Sequence, residues 1–385
     1  MWRRNLRKMP EKSAHRRFSI ISTANLPVVE ATAKPITPPF AIKLVFWFIL
    51  GALSSVVAEV VAASDSYPFF RAWGWSMTIP VYTLHILVLS FFLFGIGKRK
   101  VTLPSLFLAG MIFSMYEAYI SKVIWNPTFG QDTMALKVGG LAVLQTAILV
   151  LFYHPFMSFM IPLFLGENLF TSSSETFQAL PRILQRVLGS ARGFLWAIGL
   201  FAIYCGAFQA SGAKTVKVSL TSGSSAVAVL FLLGVIWHWM RRGRNYSLRE
   251  LLPSKLEGTV LCLLLLVDYL ATGFLIRPEA LPRTLLPHVT VWAMYAAWIS
   301  LLYFNIKHSA PWTPTGTSPF RAVNVPAGLL AGVLLVVTST LFVLFGPNVG
   351  EAIGLGSFLV GWCAAAVLLV WGIIKAFSKP TKAVA

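Results

Sequence analysis

Apolar residues run in blocks of about twenty from Lys43 to Lys375, and short connections carrying Lys, Arg, Pro and Gly separate them. Twenty residues of helix cross a hydrocarbon core of roughly 30 Å, so each block predicts a membrane-spanning helix. Ten are expected, at 43–63, 76–96, 103–125, 136–154, 192–211, 220–240, 257–277, 285–305, 322–346 and 352–375. Runs such as Leu261 to Leu266 and Leu329 to Val337 show no alternation of polar with apolar positions, which excludes barrel strands. The fold class is therefore all-α, a polytopic integral membrane helical bundle. Three regions follow: a basic tail at 1–39 expected to be disordered, a transmembrane domain at 40–376, and a short tail at 377–385.

The fourth block breaks the pattern. Apolar character continues past His154 and Pro155 to Phe170, too far for one straight crossing. Proline removes a backbone donor and kinks a helix, so 155–191 reads as a kinked or re-entrant extension followed by an amphipathic segment. Basic residues decide whether that extension spans. With ten spans, 25 of the 32 Lys and Arg fall on one face, the face that also carries both termini. An eleventh crossing would move the Arg241 cluster to the other side and erase the bias, so the extension is taken as non-spanning. Lys and Arg concentrate on the cytoplasmic side, which places both termini there and the chain in the cell membrane. Trp73, Trp75 and Trp125 are expected at the outer interface, and Trp47, Trp196, Trp237, Trp239 and Trp371 toward the inner one.

Composition agrees with this reading. The 385 residues are 57% hydrophobic and 12% charged, where soluble domains run near ~25% charged. A formal net charge of +19 would suggest nucleic acid in a soluble protein. Here the cations line one membrane face, so the partners expected are the bilayer and its anionic lipid headgroups, and no nucleic acid. A cleaved organelle transit peptide is the lesser reading of the basic tail. Cys205, Cys262 and Cys363 lie inside separate spans, so neither a disulfide framework nor a thiolate zinc cluster is expected.

Connections and small residues predict packing. Ser172 with Glu175, Ser247 with Glu250 and Ser254 with Glu257 have capping-box spacing. Ile183, Leu184, Val187 and Leu188 against Arg182, Gln185 and Arg186 describe a helix lying in the headgroup layer. Gly328 with Gly332, and Gly350 with Gly354, predict close helix approach.

Candidate chemistry lies in ionisable residues at membrane depth, where a charge costs ~2.5 to 3.5 kcal/mol on insertion scales. Glu59 is six residues before Asp65, His85 lies nine into the second span, Glu117 eight before Trp125, and Asp268 nine before Arg277. At ~1.5 Å per residue all fall roughly 9 to 14 Å deep, in one outer slab. Gly110, Ser114, Glu117 and Ser121 form a small and polar stripe; Ala52, Ser55 and Glu59 form another, as do Thr78, Tyr82 and His85. Glu117 and His85 are the leading coupling or binding candidates, with Asp268 and Glu59 as helpers. Lys122 either snorkels to the surface or pairs with a carboxylate, and His154 caps carbonyls freed at the bend or shares a role with Gln145 and Glu167.

Three functions stay open. A secondary transporter or permease would use Glu117 and His85 to exchange protons. An intramembrane enzyme acting on a lipid or membrane-borne substrate would set Glu117, His85 and Glu59 around a divalent metal, the cofactor such a site would need. A scaffold subunit would use the same groups as helix glue. No His-Glu-x-x-His, phosphate-cradling loop or dinucleotide fingerprint occurs, and the paired aspartyl motifs of intramembrane proteolysis are incomplete.

Overall fold

A computed structural model describes residues 37–95, 98–126, 136–314 and 324–378. The basic tail up to residue 36, the end from residue 379 and the connections at 127–135 and 315–323 lie outside the described residues. The chain is a helical membrane bundle with a single short hairpin among those residues. In chain order it comprises α1 (Phe40–Val60), α2 (Gly74–Gly95), α3 (Leu103–Ser114) and α4 (Tyr116–Tyr119). The hairpin β1 (Lys137–Val138) and β2 (Leu141–Ala142) leads into α5 (Val143–Phe170), followed by the short α6 (Glu175–Gln178) and α7 (Arg182–Leu188). Next come α8 (Ala191–Ala213), α9 (Val216–Arg241), α10 (Leu248–Leu251) and α11 (Lys255–Ile276). The last three are α12 (Leu285–Lys307), α13 (Asn324–Phe345) and α14 (Pro347–Phe377).

Nine of these helices are long and apolar enough to cross a bilayer among the described residues. The third expected span is instead the broken pair α3–α4, interrupted at Met115, where ψ relaxes to −11°. Its amino end is a capping box of Thr102 and Ser105.

The fourth expected span is corrected. A tight turn at Gly139 and Gly140, both at positive φ, pairs Val138 with Leu141, and the helix starts only at Val143. It then runs through Pro155 without interruption to Phe170, so 155–170 belongs to the crossing and is not an appendage to it. Leu149–Met160 winds with the wider π-helical pitch, which accommodates a residue that cannot donate its backbone hydrogen bond. Val143–Phe170 is thus one candidate span by length and hydropathy.

Burial separates a core from a shell. The most apolar windows of α1 and α2 are 72% and 78% buried, those of α11 and α13 only 11% and 6%. α1 packs on α2, α3 on α5, and α8 and α9 on α13. Phe46, Ile49, Leu50, Phe107, Phe113 and Phe159 fill the centre, while Leu263, Leu275, Leu359 and Val367 stay exposed, as side chains facing lipid must.

Several packing expectations are met locally. A Cβ on Gly350 would come within 2.5 Å of the Ala207 carbonyl, and one on Gly332 within 2.7 Å of Val227. Gly328 faces open space and sets no close approach. Ser247 with Glu250 and Ser254 with Glu257 form capping boxes. Ser172 with Glu175 does not: α6 begins after Ser174, and Glu175 turns instead to Arg249. Trp73 and Trp75 are half-exposed, whereas Trp125 is buried edge-on against Tyr119.

Candidate functional site

The site is assembled from the ends of α1 and α4, the middle of α2 and the π-helical part of α5. Gly110 makes the approach possible. A Cβ there would lie 2.5 Å from Pro155 Cα, so α3 and α5 touch backbone to backbone beside His154. Ser114 Oγ donates to the Gly110 carbonyl one turn back, and Glu117 follows in the short α4.

Glu117 Oε1 accepts from His154 Nε2 at 2.9 Å. Both residues are buried, at 5% and 2% exposure. Ser121 donates to the other carboxylate oxygen, and Ser158 Oγ lies 2.6 Å from His154 Nδ1. Each nitrogen of the ring therefore has a partner, one of them a carboxylate. Such a pair loses both hydration shells on burial and holds only while its hydrogen bonds are complete.

A chain of hydroxyls joins this pair to a second carboxylate. Tyr116 Oη sits 3.5 Å from His154 Nε2 and 2.8 Å from Tyr82 Oη. Tyr82 donates to Glu59, which also accepts from Ser64. Wider turns of α1 at Val56–Val60 free the Ala58 carbonyl, and Tyr153 donates to it at 2.6 Å. Ser54 donates to the Ser158 carbonyl at 2.5 Å, so α1 and α5 are stitched on both sides of the network. Ser64 and Ser121, at the two ends, are both surface residues.

His85 occupies a separate branch. Its Nδ1 donates to the Val81 carbonyl at 2.7 Å, which leaves Nε2 to accept from Tyr269 Oη at 2.9 Å. Tyr269 is in turn 2.9 Å from Tyr295. Between the two imidazoles lies the Phe113 ring, stacked 5.0 Å from His85 and 6.3 Å from His154. The expected Glu117 and His85 pair is thus replaced by Glu117 with His154. The sequence puts His154 at the inner end of the fourth span; because α5 runs on to Phe170, His154 falls within the helix and reaches Glu117.

Of the other candidates, Glu59 joins the network as its half-buried far end. Asp268 does not join it. It is half-exposed on α11 with Oδ2 buried and unbonded, while its neighbour Tyr269 reaches inward. Lys122 is buried at positive φ, and its ammonium donates to the Arg277 carbonyl rather than to a carboxylate. Glu117, His85 and Glu59 do not converge, and among the described residues no group of three His, Cys, Asp or Glu is placed to hold a metal ion.

Glu167, considered beside His154, belongs to a second buried cluster. It accepts from Ser173 Oγ, the Glu175 and Thr176 amides and the Thr176 hydroxyl. Glu175 receives a two-pronged contact from Arg249, which also donates to the Phe94 and Arg99 carbonyls. Every charge there is committed to fixing α6 and α10 against the ends of α2 and α5.

A model of a family described as an uncharacterized membrane protein family matches residues 48–370. The chain belongs to that family. A protein from Archaeoglobus fulgidus, described as an uncharacterized protein, is 33% identical over 275 residues, 71% of this chain and 81% of its own length. No solved structure matches the chain. The family match contains the whole network, from Glu59 to Tyr295.

Proposed function

We propose that this membrane protein is a secondary transporter or permease in which the Glu117–His154 pair binds and releases the coupling proton. The observation that carries the reading is the hydrogen-bonded chain from Glu59 through Tyr82 and Tyr116 to His154 and Glu117, enclosed in the best-buried helices. An imidazole with an unperturbed pKa of ~6.5 changes charge in the physiological range, and a carboxylate beside it can share or take its proton. Hydroxyls both donate and accept, so Tyr82 and Tyr116 can relay a proton between Glu59 and His154 Nε2, and the same nitrogen exchanges it with Glu117 in a separate step. Polar groups at membrane depth mark ion and proton paths more often than ornament.

The charge distribution supports a cell membrane location with both termini in the cytoplasm, and the surface ends Ser64 and Ser121 then open outward. Proteoliposomes test the reading. A panel of labelled small solutes is offered with and without an imposed pH gradient. Gradient-driven uptake of at least one solute is expected, abolished by Glu117→Gln and by His154→Gln in preparations shown by size-exclusion chromatography and circular dichroism to be folded. Uptake that persists in both variants would refute the assignment.

A further inference from the structure

A concavity lies at the opposite end of α3 from Glu117. It has a volume of about 290 Å³ and is lined by Lys100, Thr102, Gln178, His308, Ser309 and Lys375 among others. No lining residue is acidic. Lys375, half-buried near the end of α14, donates to Thr102 Oγ1 at 2.9 Å and Ser309 Oγ at 2.7 Å, and makes no ion pair among the described residues. An ammonium has three donors, so one remains for a further acceptor. Arg99 adds a second positive group behind the wall, donating to the Ser309 carbonyl at 3.2 Å. Glu175 is the acid on the neighbouring α6, and Arg249 holds it from both sides. None of the described residues supplies a counter-charge to this cavity.

The surroundings say what kind of anion. Trp371 lines the cavity while remaining 42% exposed, the position of an indole at a membrane–water interface. On the same helix Val367, Val370, Ile374 and Phe377 are exposed apolar residues, a track along which acyl chains can lie. The cavity is at the small end of the ~300 to 1,000 Å³ range of ligand pockets, sized for a headgroup rather than a whole lipid.

We infer that the Lys375 cavity binds a phosphate oxyanion, with Lys375 and Lys100 as its cationic contacts, and that this oxyanion is the headgroup of an anionic phospholipid. Lys375 supplies its third N–H from within the wall, and exposed Lys100 closes from the rim. The inference is independent of the proton reading, since it involves none of the same residues.

Native mass spectrometry of the full chain in detergent tests it, with phosphatidic acid, phosphatidylglycerol, phosphatidylcholine and inorganic phosphate as separate probes. One phosphatidic acid or phosphatidylglycerol is expected to stay bound, in preference to phosphatidylcholine. Lys375→Met should weaken it about tenfold or more, the loss of one charge-assisted hydrogen bond. Lys375→Arg should retain it, and Lys307→Gln, on the neighbouring α12 but outside the cavity, should leave it unchanged. Binding of inorganic phosphate with the same dependence on Lys375, and no lipid preference, would keep the oxyanion site but overturn the lipid source. Should Lys375→Met fail to fold, Lys100→Glu at the exposed rim carries the test. Lipid and phosphate retention undiminished in whichever of these variants folds overturns the inference.

Discussion

His154→Phe is the most informative single change in the core. The ring keeps its place beside Phe113, so packing changes little, but Glu117 loses its imidazole partner while only 5% exposed. Removing one member of a buried ion pair costs ~3 to 5 kcal/mol, because the remaining charge stays dehydrated. An ordinary interhelical hydrogen bond in a membrane protein averages only ~0.6 kcal/mol. The two magnitudes separate an ion pair from a mere polar contact. A double-mutant cycle with Glu117→Gln refines the distinction, since in the double variant no uncompensated charge remains. We expect His154→Phe to cost at least ~3 kcal/mol and the cycle to show a coupling of ~1.5 to 3 kcal/mol. Reversible unfolding in mixed micelles, followed by circular dichroism, measures both. A loss below ~1 kcal/mol with additivity inside ~0.5 kcal/mol would refute the ion-pair account.

Other changes probe the frame around the site. Gly110→Ala should destabilise by ~1 to 3 kcal/mol in the same assay and weaken the Glu117 contact, because the new methyl meets Pro155 backbone and the helices must part. Arg249→Met leaves Glu175 buried without its cation and should cost ~3 to 5 kcal/mol, seen as a lower melting temperature and faster proteolysis in the connection between α9 and α11. Leu263→Ala and Val367→Ala, on exposed faces of α11 and α14, should each stay within ~0.5 kcal/mol of the parent.

The helices were legible because a bilayer imposes a length, and unbroken apolar runs report it directly. Where the reading slipped, a local conformational signal outranked hydropathy. Gly139 and Gly140 specify a hairpin turn that delays α5, whereas their apolar neighbours blend into the helix. Pro155 marks a boundary in a soluble protein, yet here neighbouring helices tolerate it, and wider turns carry α5 onward. The same proline hid the pair partner. His154 carries a serine four residues on, and its neighbour Pro155 lies against Gly110; both were in the sequence as spacing, without the azimuth that brings α3 and α5 together. Depth along a helix can be counted from charges at its ends, and two residues counted into one slab, Glu59 and Glu117, are joined through Tyr82, Tyr116 and His154. Which face each one takes depends on packing between helices. Tyr116, Tyr269 and Tyr295 were missed because a tyrosine at this depth looks like any interfacial aromatic until its hydroxyl has a partner.

The account rests on the Glu117–His154 pair gaining and losing a proton within the bilayer, and infrared difference spectroscopy of the protein in lipid reads this without knowledge of any substrate. On acidification the account predicts carboxylate and imidazole bands that change together as the pair gains a proton, the first removed by Glu117→Gln and the second by His154→Gln. A difference spectrum that is the same in Glu117→Gln as in the parent would contradict it.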